Sequence, residues 1–392
     1  MDRIAAIQQA LRDAHLDGWL FYDHHHRDSI GYRILGLDAA KMTTRRWFYF
    51  IPAQGEPRKL CHSVEPKRLD ALPGAKQIYL PWQQMQQRLK ETLAGARRVA
   101  MQYSPNCLIP SISLVDGGML ELVRSFGVEV VSSADLVQQF EASVDETAFQ
   151  SHVEAGRRMH AVLGETWAEI GRRVAAGTPT EYELQQFMLE RYRAHQMVWG
   201  EPPIVAVNGH AGDPHFEPRP DNTAPIKRGD RVLIDLWAKI DEPHAVYYDI
   251  TWVGYVGADV PADYAQLFAI ARDAREKAVG FIEERLAAGQ PLAGWEVDQV
   301  CRAHIEAQGY GDKFVHRTGH SIGEEVHGNG VNLDNLETKD ERLLVPGALF
   351  SIEPGIYLAD QGVRTEIDGY INAQRKLVIA GPRQMEIVKI AV

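Results

Sequence analysis

Cysteine is scarce in this chain: Cys61, Cys107 and Cys301 are the three among 392 residues, with no CxxC pair and no even set. That excludes a disulfide framework and predicts free thiols in a reducing compartment. Long apolar runs are missing too. No stretch of 18 apolar residues occurs, which predicts no membrane span. The opening stretch, MDRIAAIQQALRDAHLDGW, mixes acidic with apolar residues and has no cleavage-site pattern, so no signal peptide is expected and a cytoplasmic protein is. Positive charge is in short supply: 42 Lys and Arg face 53 Asp and Glu, a net charge of −11. This argues against a nucleic-acid or anionic-membrane partner. No HExxH occurs at the His-rich stretch, where position 317 is Arg, so a zincin is excluded. No short-period repeat is visible, which excludes a solenoid.

What is present suits two domains. Ile4, Ile7 and Leu11 recur at helical spacing, and WLFYD (19–23) reads as a buried strand. Residues 45–62 predict two strands around a Gln-Gly-Glu-Pro turn. Strands are also expected at 77–80, 98–103 and 128–131, with helical stretches between, the pattern of a mixed α/β domain. A long helix from Asp145–Glu146 to Gly177 and a second capped by Thr180 follow. The boundary is therefore expected within 140–146, giving domains 1–142 and 143–392. From residue 200 onward strands dominate. RGDRVLIDLWAKI and HAVYYDITWVGYVG predict a hairpin over 241–243, followed by helices at 261–288 and 294–308. Then come a His-rich loop, one strand over LFSIEPGIYL (349–358), and the strands GVRTEIDGYIN and RKLVIAG.

Five side chains in this half carry the chemistry. They are Asp235 in RVLIDLW, Asp249 in YYDITW, His320 in HRTGHSIG, Glu353 in FSIEPGIY and Glu366 in GVRTEIDGY. A lone carboxylate at a strand end is better explained by hydrogen bonds to turn amides. Several in similar apolar contexts need a counter-charge, and a pair of divalent cations supplies it. Hard oxygen donors with one imidazole favour manganese, cobalt or zinc over thiolate-seeking copper or iron–sulfur centres. Alternate strand residues share a face, so pairing of the Leu233–Asp235–Trp237 and Tyr247–Asp249–Thr251 sets aims both aspartates at one point. His316, His320 and His327 fall within twelve positions, and Gly319 and Gly323 there suggest a loop or strand crossing a tight site. His215 lies in the Pro-bounded loop GDPHFEP, where site residues often sit.

As an ordered set, LID, YxD-x-T, GHSIG…H, EPGIY and R-x-E resemble the pita-bread metallopeptidases: methionine aminopeptidase, aminopeptidase P, prolidase and the metal-free creatinase. The likeness covers roughly residues 150–390, and the first 140 residues resemble the creatinase-type N-terminal domain more loosely. The resemblance implies a creatinase-like α/β domain followed by an α+β pita-bread catalytic domain. It implies two metal ions, manganese first, with cobalt or zinc as alternatives. Asp235 would chelate one ion, Asp249 and Glu366 would bridge the pair, and His320 and Glu353 would complete the other ion's shell. Glu353 would also act as general base. His215 and His327 would steady the scissile carbonyl. His316 would contact the proline side or product carboxylate, and Arg364 would capture a carboxylate. Tyr357 is expected to pack as an ordinary core residue.

Three departures stand out. Asp235 and Asp249 are 14 residues apart, longer than the common family spacing, with DEPHAV expected to hold the extra residues. Trp252 stands where the family often has Arg, and the run Met197-Val198-Trp199-Gly200-Glu201-Pro202 lacks an upstream Tyr. The expected activity is hydrolysis of Xaa-Pro dipeptides by a homodimer. The alternatives are a Xaa-Pro aminopeptidase on longer peptides and a creatinase- or ectoine-hydrolase-like C–N hydrolase. Asp23 and His24–His26 are expected to form a solvated loop rather than a chelate, because neighbouring strand residues point to opposite faces. By resemblance, that loop would gate the substrate.

Overall fold

The computed structural model describes residues 3–392, whose contacts separate into two compact units, Met1–Glu141 and Ala142–Val392. In the first unit the elements are α1 (Arg3–Asp13), β1 (Gly18–Asp23), α2 (Ser29–Leu35), β2 (Trp47–Pro52), β3 (Arg58–His62), β4 (Ala75–Tyr79), α3 (Trp82–Thr92), β5 (Arg98–Met101), α4 (Gly117–Ser125), β6 (Glu129–Ser132) and α5 (Ala134–Phe140). The strands form one sheet in the order β4-β3-β2-β1-β5-β6. Strand β2 runs antiparallel to both neighbours, and the other pairs are parallel. Strands β1 and β2 are buried along their whole length, which explains their unbroken apolar runs. One face packs Trp19, Phe21 and Tyr49 with α1, α2 and α5; the other packs Leu20, Phe48 and Phe50 with α3 and α4.

The Asp23–His26 stretch is a loop whose order comes from its acid. Asp23 is buried and accepts from the His26 and Asp28 amides at 3.2 and 3.1 Å and from the Tyr32 hydroxyl at 3.0 Å. His25 and His26 take left-handed backbone conformations and lie exposed, and His24 is half-buried.

The second unit opens on α6 (Glu146–Ala176), capped by Asp145 at the Ala148 amide, and α7 (Glu181–Ala194). A reciprocal Thr180–Glu183 capping box starts α7 and satisfies two otherwise orphaned amides. Strands β7 (Met197–Val198), β8 (Ile204–Val207), β9 (Arg231–Ile240) and β10 (Tyr248–Val256) follow, then α8 (Ala262–Ala287) and α9 (Gly294–Ala307). The last strands are β11 (Leu349–Ile352), β12 (Gly355–Tyr357), β13 (Gly362–Arg364), β14 (Ile367–Ile371), β15 (Leu377–Ala380) and β16 (Val388–Ile390). The largest sheet here runs β16-β10-β9-β7, with β8 also paired to β9. Among the described residues no helix is long and apolar enough to cross a membrane.

The segments expected as single strands at 349–358 and 362–372 each break in two. Strand β11 pairs with β14 and β15, whereas β12 pairs with β13 in a separate ladder. The breaks fall at Glu353-Pro354 and Thr365-Glu366. Proline has no amide hydrogen and cannot continue a ladder. The Glu353 amide instead reaches Thr318 O at 2.7 Å, and the Glu366 amide reaches Thr251 O at 3.1 Å. Both glutamates are thus freed from ladder alternation at the point where two sheets meet.

Candidate metal centre

In the β9–β10 register Asp235 lies opposite Thr251, and Trp237 lies opposite Asp249. The two aspartates are therefore diagonal neighbours on one face, and both are buried. Strand β10 also anchors Glu366 through the Thr251 carbonyl, bringing a third buried carboxylate to the same face.

His320 arrives from the Gly319–Ser321 stretch, which is bridged to Leu333 and Phe350. Its amide donates to Ser351 Oγ at 2.9 Å and its carbonyl accepts the Ser351 amide at 2.9 Å. A Cβ on residue 319 would sit 1.9 Å from Ser351 O, so this approach requires glycine. The His320 Nδ1 proton is spent on Ser321 O at 3.1 Å. The Nε2 lone pair then faces Asp249 Oδ2 at 3.5 Å and Glu353 Oε1 at 3.4 Å. A lone pair aimed at two carboxylates is repulsive unless a cation stands between them. Donor atoms of Asp249, His320 and Glu366 all lie within 4.8 Å of one another, a span one ion can bridge.

Electrostatics agree with the geometry. Burial, then Asp235 and Glu353, pushes the Asp249 carboxyl well above its ordinary range. Burial and then Asp249 do the same to Glu366. Arg364 is a single counter-charge for four carboxylates, so the donor set fits hard divalent cations.

Arg364 is buried and its donors are committed within the protein. Nη2 is ion-paired to Asp235 Oδ2; Nε donates to Thr251 Oγ1 at 2.9 Å; Nη1 donates to the Tyr357 hydroxyl at 3.1 Å and to Pro214 O at 3.3 Å. Tyr357 is therefore more than the packing residue expected. Its hydroxyl lies 2.7 Å from His316 Nε2, while His316 Nδ1 lies 2.7 Å from Arg317 O. Burial, then Arg364, pushes His316 down to about 3, which keeps it neutral. The His327 ring stands edge-on to His320 with centroids 4.3 Å apart, and that neighbour is the main reason its imidazole is pushed down to about 3. His215 is exposed on its loop, with its amide on Asp213 Oδ1 at 3.0 Å.

Three contributors had no assigned role in the sequence reading. Thr251 Oγ1 lies 2.7 Å from Glu366 Oε2 and 3.1 Å from Asp235 Oδ1. Ser351 Oγ donates to Glu353 Oε1 at 3.0 Å. Asp368 Oδ2 accepts the Asp249 amide at 2.9 Å, with the buried His152 Nε2 3.7 Å away. The available signals were short: a hydroxyl two residues before Glu353, and an acid two residues after Glu366.

Residues 150–373 match the model of metallopeptidase family M24. The chain belongs to that family. It is therefore a metallopeptidase, and the family works with divalent metal ions. It is 34% identical over 142 residues to the Xaa-Pro dipeptidase of Pyrococcus furiosus, covering 36% of this chain and 37% of that protein. The dipeptidase PepE structure from Mycobacterium ulcerans matches with a TM-score of 0.72 at 23% identity, over 100% of this chain and 97% of that one. The X-prolyl aminopeptidase of Caenorhabditis elegans, described as a cytosolic enzyme with a dinuclear active site, matches with a TM-score of 0.67 at 16% identity, over 99% of this chain and 63% of that one. These likenesses establish the pita-bread M24 fold with its additional N-terminal domain.

Proposed function

We propose that this M24 enzyme is a cytoplasmic, homodimeric Xaa-Pro dipeptidase (a prolidase) with two divalent ions, manganese first. Asp235, Asp249, His320, Glu353 and Glu366 hold the pair. The observation that carries this reading is the His320 Nε2 lone pair facing Asp249 and Glu353 with Glu366 inside the same span. When bound, such ions acidify a water and polarise the scissile carbonyl.

The side chains divide the remaining work. Ser351 occupies Glu353 Oε1, which leaves Oε2 to take the proton of the attacking water and pass it to the departing proline nitrogen. His327, held neutral, donates a hydrogen bond to the scissile carbonyl, and His215, exposed on its loop, steadies the tetrahedral oxygen. His316 has both ring nitrogens engaged, so it serves the proline side through its ring rather than a nitrogen. Arg364 acts through Asp235, which it orients, because four of its five N–H donors are already taken.

The test is a substrate panel with added Mn²⁺, Co²⁺ or Zn²⁺: Xaa-Pro, Xaa-Ala and Xaa-Pro-Xaa. Preferential cleavage of Xaa-Pro supports the reading. Preference for the tripeptide makes the enzyme an aminopeptidase, and cleavage of none moves it to small-molecule C–N hydrolysis.

A further inference from the structure

Strand alternation gives β9 a row of side chains on the metal face: Asp235, Trp237 and Lys239. Arg364, with Tyr357 and His316 linked to it, is tied to the Asp235–Thr251 pair. Trp237 stands one step further along the strand, opposite Asp249. Residues 232–236 before it are buried without exception, whereas Trp237 is half-buried. An indole left partly open beside buried carboxylates offers an apolar face at the edge of the site.

The space over that face has an end and a roof. Strand β9 lies between β10 and β7, and Gly200 follows β7 on the side away from β10. Tyr247, just before β10, still brings its hydroxyl within 3.9 Å of where a Cβ on Gly200 would stand. Its ring therefore crosses β9 beyond Trp237 and forms an end wall. Lys239 Nζ lies 5.0 Å from the centre of that ring and donates to Glu324 O at 2.5 Å. The Tyr247 amide donates to Gly323 O at 3.0 Å. The loop that carries His320 and His327 thus covers the same end.

We propose that Trp237 is the floor of the pocket for the substrate residue before the scissile bond, and that it selects a large apolar or aromatic side chain there. This deepens the Xaa-Pro reading above and rests on it. A substrate laid across the ion pair with its proline toward His316 points its first side chain the other way along β9, over the indole. Phenylalanine or leucine covers that face, whereas glycine leaves it wet.

Metal-loaded wild type, W237A, W237F and W237L are compared on Phe-Pro, Leu-Pro and Gly-Pro, with bound Mn²⁺ read by elemental analysis. Wild type is expected to prefer Phe-Pro and Leu-Pro over Gly-Pro. W237A should shrink the Phe-Pro over Gly-Pro ratio of kcat/KM about 10- to 100-fold, the range of a lost apolar contact in a pocket. W237F should keep most of that ratio. Calorimetric titration with L-phenylalanine and with glycine reads the same contrast without cleavage. A wild type with no preference in either assay, or equal losses on all three dipeptides in a W237A that keeps its metal, overturns the role. Should W237A lose Mn²⁺, W237L is read instead, and an unchanged ratio there overturns it too. Phe-Pro-Ala and Gly-Pro-Ala complete the panel: faster cleavage of these tripeptides refutes the dipeptidase reading alone, while their ratio still reports on Trp237.

Discussion

Replacing Thr251 by valine keeps the side-chain shape and removes one hydroxyl that three charged groups share. Glu366 Oε2 loses its contact at 2.7 Å, Asp235 Oδ1 loses its neighbour at 3.1 Å, and Arg364 Nε loses its acceptor at 2.9 Å. Thr251 itself is fully buried, so solvent does not replace these partners. A hydrogen bond to a charged group contributes about 1.5–3 kcal/mol. With the Glu366 and Arg364 contacts both gone, the metal-free protein should lose about 3–5 kcal/mol. Removing a group that orients a metal-binding carboxylate typically weakens metal affinity about 10- to 100-fold. Denaturant unfolding of chelated T251V measures the first effect, and Mn²⁺ titration measures the second. T251S should retain most of both. Wild-type affinity and stability in T251V would show that Thr251 orients nothing, and the account of how Glu366 is held would fall.

Two further outcomes follow from the same site and its surroundings. D249A and E366A should each abolish turnover and lower bound metal, read by elemental analysis; full activity in either means the ligand set is misassigned. Acid should destabilise the second unit through His152. The folded state holds this buried imidazole down at about 4, with burial the main cause, whereas the unfolded chain protonates it near its ordinary 6.5. The unfolded state therefore binds the extra proton first. The His152 contribution is intact above about pH 6.5 and lost as pH falls toward 4, a difference of about 3 kcal/mol. Urea midpoints from pH 7 to 4 should drop less in H152F than in wild type, and parallel curves would assign the acid lability elsewhere.

Much of this candidate site was legible because the segments that carry its side chains obey simple periodicities. Strand alternation placed Asp235 and Asp249 on one face, and the observed register has Thr251 and Trp237 as their partners. Helix ends were legible through Asp145, Thr180 and Gly177, because capping is local chemistry. The breaks at Glu353-Pro354 and Thr365-Glu366 were not. A continuous apolar run looks like one strand, and only long-range pairing reveals two ladders. The role of Tyr357 was hidden for a similar reason. Its partners His316 and Arg364 lie 41 and 7 residues away, and nothing in the EPGIY context signals where the hydroxyl will point.

The clasp between Arg364 and Asp235 has a consequence for metal uptake. An ion arriving at Asp249, His320 and Glu366 meets protons and the neutral Thr251 hydroxyl on Glu366, whereas one that needs Asp235 must outbid a guanidinium that stays charged at any working pH. Filling should accordingly be stepwise, and calorimetry with Mn²⁺ should resolve a tight event followed by a weaker one. One equivalent of ion should then collect at Asp249, His320 and Glu366 and leave the Arg364–Asp235 clasp closed.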